Sequence, residues 1–79
     1  METASQYQHQ MGSDIERDGM FLELVEVASG DVVGEVFYSD RSGQFSISLD
    51  RPDLPLEVVE ELVSSARKRL PPGREHLQR

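Results

Sequence analysis

Residues 44–70 read QFSISLDRPDLPLEVVEELVSSARKRL, and within this one stretch the apolar spacing changes from two residues to three or four. Phe45, Ile47 and Leu49 alternate with Gln44, Ser46, Ser48 and Asp50, the pattern of a strand with one buried face. Arg51-Pro52-Asp53-Leu54-Pro55 then breaks the pattern. Asp53 is suited to cap orphan amide groups, and Pro55 fits a first helical turn, where its missing N–H would have no partner anyway. From Leu56 the spacing is helical. At about 100° per residue, Leu56, Val58, Val59, Leu62, Val63, Ala66 and Leu70 share one arc, into which only Arg69 intrudes. Glu57, Glu60 and Glu61 open this segment and Arg67-Lys68-Arg69 close it, the sign order that a helix dipole favours. Pro71 stops it.

Upstream lie two further β-favouring runs, MFLELVEV at 20–27 and VVGEVFYS at 32–39. They are set off by the turn-forming segments Ala28-Ser29-Gly30-Asp31 and Asp40-Arg41-Ser42-Gly43. The expected fold is of the α+β class: a three-stranded antiparallel meander followed by one C-terminal amphipathic helix packed on one sheet face (β-β-β-α). Residues 20–70 are expected to form this single domain. Residues 1–19 are polar and lack either period, and residues 71–79 begin with two prolines; both are expected to be disordered tails.

Turns of even length would pair the first two strands so that Val25 lies opposite Gly34. Side chains alternate faces, so the register then sorts every residue of the sheet. Phe21, Val25, Val27, Val32, Val36, Tyr38, Phe45, Ile47 and Leu49 would meet the helix, with Glu23 as a misfit. The other face would collect Leu22, Leu24, Val33 and Phe37, which one helix cannot also cover. These four are the expected protein interface, because contiguous exposed apolar surface marks association sites. Two arrangements would remove it. The N-terminal segment could fold over the face through Tyr7 or Ile15, or an odd-length turn or bulge could turn part of a strand over.

The chemistry of the chain narrows the function classes. No apolar run is long enough to span a membrane, and Glu2 stands where a secretory leader carries a positive residue. The absence of cysteine excludes disulfides and thiolate zinc sites and fits a reducing, cytoplasmic setting. His9 and His76 both fall in the expected tails, where nothing would hold a base or a metal ligand in place. Glu60 and Glu61, and Asp50 with Asp53, read as solvated or capping carboxylates rather than an acid–base pair. Gly30, Gly34 and Gly43 stand in turns and a strand, without the lysine of a phosphate-cradling loop. No enzymatic activity, cofactor or metal is expected. In outline the strand–strand–strand–helix order resembles the DNA-reading arms of some integrases, the plant AP2 domain and antitoxins of the HicB type, yet no motif matches residue by residue. DNA-reading strands carry basic and aromatic residues, whereas these carry Glu23, Glu26, Glu35, Asp40 and Asp50 against Arg41. Direct nucleic-acid binding is therefore not expected.

Two functions remain, and strand addition to the free edge of the first or third expected strand is a further route to binding, for which no residue selects a partner. The first is a non-catalytic interaction or regulatory module whose partner is another protein or itself, as a homodimer, through Leu22, Leu24, Val33 and Phe37. A domain this small has little core and gains from association. The second is an acidic inhibitor or immunity-type protein that presents Glu57, Glu60 and Glu61 to the basic cleft of a nuclease, toxin or nucleic-acid-binding protein. The net charge of −7, of which residues 20–70 carry −5, motivates it.

Overall fold

The computed structural model describes residues 6–70. It contains four strands and one helix in the order β1 (Tyr7–Asp14), β2 (Gly19–Glu26), β3 (Val32–Ser39), β4 (Phe45–Leu49) and α1 (Leu56–Arg69). The strands form one antiparallel sheet in the order β1-β2-β3-β4, and α1 packs on one face of it, over β2 and β3. The α+β architecture is as expected, but the strand count is four rather than three.

The additional strand is YQHQMGSD, which lies within the segment expected to be a disordered tail. It pairs along its whole length with β2, from Tyr7 opposite Glu26 to Asp14 opposite Gly19. Its order comes from this ladder and from a close fit at Gly12, where the Phe21 ring covers the glycine so tightly that a Cβ would sit 2.5 Å from Cζ. The parts of the two expected tails at residues 1–5 and 71–79 lie outside the described residues.

The β1–β2 and β2–β3 turns both use left-handed backbone. Asp18 (φ 54°) closes the first, where the Arg17 amide donates to Asp14 Oδ1 at 3.1 Å. Gly30 (φ 76°) closes the second, its amide donating to the Glu26 carbonyl at 2.8 Å. Before the helix, Asp53 does not cap. It occupies a left-handed conformation (φ 61°), and Pro55 stands at the N-cap with no side-chain hydrogen bond. Its carbonyl instead accepts from Val58 and Val59 at 3.0 and 3.2 Å.

The β2–β3 register corrects the expected assignment of faces. Leu24, not Val25, lies opposite Gly34, and Leu22 lies opposite Val36. Between Leu24 and Val25 the register shifts, so that Val25 meets Val32 and Val33 is the extra residue of a bulge. A one-residue slip turns the whole of β2 over. Leu22 and Leu24 therefore face the helix, while Phe21, Glu23 and Val25 face away. The second hairpin keeps the expected faces from Val36 to Leu49, with Val36 opposite Ile47 and Tyr38 opposite Phe45, whereas the bulge brings Val33 into the core and sets Val32 on the outer face with Val25. The core that results consists of Leu22, Leu24, Val33, Val36 and Tyr38 from the sheet and Val58, Leu62, Ala66 and Leu70 from the C-terminal segment, with Tyr7, Met20, Phe45 and Leu54 around it.

Candidate functional site

Of the four residues expected at an exposed interface, Leu22, Leu24 and Val33 are fully buried beneath α1. Phe37 alone faces outward, and it is half-buried. Its ring crosses Gly19, with Cζ 2.5 Å from the position a Cβ there would take, and the Arg17 guanidinium lies 4.0 Å from the ring centroid. Arg17 also bonds Glu35 through both terminal nitrogens, at 3.3 and 2.9 Å, and reaches Asp14 through Nε. The hydrogen bonds from Arg17 hold the Asp14 carboxyl below its ordinary pKa; Glu35 first, then Asp14, raise that of the guanidinium. The outer sheet face thus carries two aromatic rings lying over glycines, Arg17 bonded to Asp14 and Glu35, Glu23 opposite Glu35, and Val25 opposite Val32 at its other end. It is no bare apolar patch.

A second ion-pair cluster closes the opposite end of the sheet. Arg51 bonds Glu26 at 2.9 Å and Asp31 at 3.2 Å, tying the β4–α1 loop to the β2–β3 turn. Glu26 also accepts from the Ser29 hydroxyl at 2.7 Å. Ser29 first and Arg51 second lower its pKa, and Glu26 in turn raises that of Arg51.

One strip of uncovered apolar surface lies on the helix side, along β4, apart from the exposed Met11, Ile15, Val27 and Val32 elsewhere. Because α1 sits over β2 and β3, it leaves Ile47 and Leu49 46% and 45% exposed, and Leu56 at the start of the helix 69% exposed. Between β4 and α1 runs an open groove of about 180 Å³ lined by Val36, Phe45, Ser46, Ile47, Val63 and Arg67. Helical periodicity sets Leu56 and Val59 on the same flank as Val63. Arg67 closes one end, its guanidinium 5.2 Å from the Phe45 ring centroid. The alternation of Phe45, Ile47 and Leu49 was evident in the sequence. That the helix would leave these residues bare was not, since periodicity does not say over which strands a helix rests.

The backbone of β4 adds direction to this strip. The Ser39 amide bonds the Gln44 carbonyl and the Asp50 amide bonds the Val33 carbonyl. Hydrogen-bonded pairs alternate along an antiparallel ladder, so Ser46 and Ser48 point their backbone groups at β3. The N–H and C=O groups of Phe45, Ile47 and Leu49 consequently point outward, and among the described residues no strand pairs with that edge.

On the other flank of α1, Tyr7, His9, Leu24, Val58 and Glu61 line a cleft of about 150 Å³. His9 therefore stands on a strand, half-buried, and not in a mobile tail; His76 lies outside the described residues. Among the described residues no group of three or more histidine and carboxylate side chains could hold a metal ion. Glu57, Glu60 and Glu61 are exposed on α1, as their spacing implied. No helix among the described residues is long and apolar enough to cross a membrane.

These features define a small α+β domain: a four-stranded antiparallel meander backed by one helix, with an apolar strip beside a free strand edge. Comparisons with protein-family models, curated proteins and solved structures found no match.

Proposed function

We propose that this chain is a non-catalytic protein-interaction module that binds through the β4 edge and the adjoining flank of α1. The observation that carries this reading is the coincidence of two unmet demands at one place. Ile47, Leu49 and Leu56 are exposed on the helix side, and the backbone groups of Phe45, Ile47 and Leu49 lie open beside them. Extended edges of this kind pair with added strands, the main chain giving affinity and alternate side chains giving selectivity. The surface differs from the one the sequence suggested, because three of those four residues belong to the core. It is likewise mainly apolar, with Arg67 at one end of the groove.

A photo-cross-linking residue placed at Ile47 or Leu56, compared with the same residue at Gln8 or Gln10 on the outer sheet face, tests this in cells that produce the protein. Adducts concentrated at the first two positions support the reading, and adducts spread evenly or confined to the outer face overturn it. The alternative is the acidic inhibitor, supported by the exposed Glu57, Glu60 and Glu61 on α1. Its complex would weaken steeply between about 50 mM and about 300 mM NaCl, whereas an apolar strand contact would hold.

A further inference from the structure

We propose that the occupant of the β4 edge is a second copy of this chain, paired antiparallel about a two-fold axis at Ile47, which makes the protein a homodimer with a continuous sheet. The proposal rests on the reading above that this edge binds protein, and it names the partner and the register.

The strand is complementary to itself. About an axis at Ile47, Ile47 meets Ile47 of the second copy and Phe45 meets Leu49 of the second copy, each pair exchanging both backbone bonds. These are the residues whose N–H and C=O groups point outward, so one register satisfies the whole open edge. On the helix side the pairing brings Phe45, Ile47 and Leu49 of both copies into one apolar row. On the opposite side it sets Ser46 against Ser48. Exposed edges are ordinarily guarded by lysine, proline or a bulge. Residues 44–49 contain neither a charge nor a proline, and no register shift interrupts the β3–β4 ladder. In a chain of net charge −7, an uncharged edge is where two copies meet with least repulsion.

Charge complementarity points the same way. Arg67 lies over Phe45, at the start of β4, and Leu56 follows Leu49 after a short loop, so α1 runs antiparallel to β4. The two-fold axis therefore carries Arg67, on the flank of each helix that faces β4, to the same end of the joined sheet as Glu60 of the other copy, which shares that flank by helical periodicity. The other edge offers no such match: β1 shows only Met11 as an exposed large apolar residue among its polar neighbours.

Sedimentation of the full chain tests the oligomeric state, and a single cysteine tests the register, since the native chain has none. The wild type should sediment as a dimer, and Ile47→Lys should weaken dimerisation by at least about tenfold, roughly the 1.4 kcal/mol of such a factor. Ile47→Cys retains a small apolar side chain and guards against a lysine variant that fails to fold. Opposed residues of a hydrogen-bonded pair lie about 5.5 Å apart at Cα, within disulfide range, so mild oxidation should link Ile47→Cys into a dimer and leave Met11→Cys monomeric. Linkage of Met11→Cys instead overturns the assignment of the edge. A monomer at about 1 mM, with cross-links from Ile47 to a different protein, overturns the second copy and leaves the protein-binding reading standing. Absence of any cross-link at Ile47 and Leu56 overturns both.

Discussion

Arg17 lies with its guanidinium 4.0 Å from the centroid of the Phe37 ring, and with both terminal nitrogens on the Glu35 carboxylate two residues before that ring. One side chain from the β1–β2 turn thereby clamps the outer face of β3, and its Nε holds Asp14 at the end of β1. Glu35 stands directly opposite Glu23, a like-charge pair across the β2–β3 ladder, and Arg17 offsets the repulsion. The guanidinium suits this place because it is planar enough to lie over the ring while it forks onto the carboxylate.

Replacement of Arg17 should therefore cost more than its exposed position suggests. Arg17→Ala is expected to lower the melting temperature measurably. Arg17→Lys should recover only part of the loss, since an ammonium can pair with Glu35 but cannot both fork and stack. Thermal melts followed by circular dichroism decide this, and full recovery by lysine would show that charge alone matters.

Acid should destabilise the fold through the carboxylates held by arginines. The pKa values of Asp14 and Glu26 are lowered in the fold from ordinary values of 3.8 and 4.5. A carboxylate whose folded pKa lies below its unfolded one contributes stability that is fully present above the unfolded value and is lost as pH falls through the folded one. Stability should accordingly be level above about pH 5 and decline below it. Arg17→Ala should flatten the part due to Asp14 and leave the part due to Glu26, which Ser29 and Arg51 maintain. Chemical denaturation at a series of pH values measures both parts.

The glycines opposite the aromatic rings are not equivalent. A Cβ at Gly12 would meet the far end of the Phe21 ring, which can tilt away. A Cβ at Gly19 would fall 2.1 Å from the Tyr38 carbonyl oxygen as well as against Phe37, and a backbone atom in a ladder cannot give way. Gly12→Ala should cost about 1 kcal/mol, and Gly19→Ala about 3 kcal/mol or more, in urea denaturation. Equal costs would mean that the Gly19 backbone shifts more easily than its neighbours allow.

Much of the architecture was legible because it is written in periodicity. The change of spacing at Pro55 marks where sheet gives way to helix, and the alternation in β4 reads directly from Phe45, Ile47 and Leu49. β1 was hidden because an edge strand needs little apolar content when its ladder and one close contact at Gly12 hold it, and the alternation of Tyr7, His9 and Met11 with Gln8, Gln10 and Gly12 involves too few strongly apolar side chains to stand out. The faces of β2 were misassigned because FLELV is apolar at both parities. The signal that could have decided it was Glu23. With Phe21 and Val25 beneath the helix, Glu23 would be buried beside them; the slip that turns it outward brings in Leu22 and Leu24. The candidate site shifted accordingly, from residues that proved to be core to the half of the sheet that α1 leaves bare.

Neighbouring residues on β2 give the sharpest test of that slip. Leu24 is fully buried on the helix side, whereas Val25 lies half-buried on the outer face opposite Val32. Leu24→Ala removes buried methyl groups next to Val58 and should cost about 2–5 kcal/mol, with the upper part of that range reached if the cavity cannot close. Val25→Ala should cost well under about 1.5 kcal/mol, because that side chain is only half-buried and lies on the face away from the helix. A polar replacement widens the gap. Leu24→Asp would bury an unpaired carboxylate and is expected to abolish folding, while Val25→Asp should leave a folded chain with the native far-ultraviolet spectrum. Were the even-turn register correct, the order of the two positions would reverse, with Val25→Asp unfolding the protein and Leu24→Asp tolerated, so one pair of spectra distinguishes the two arrangements of the sheet.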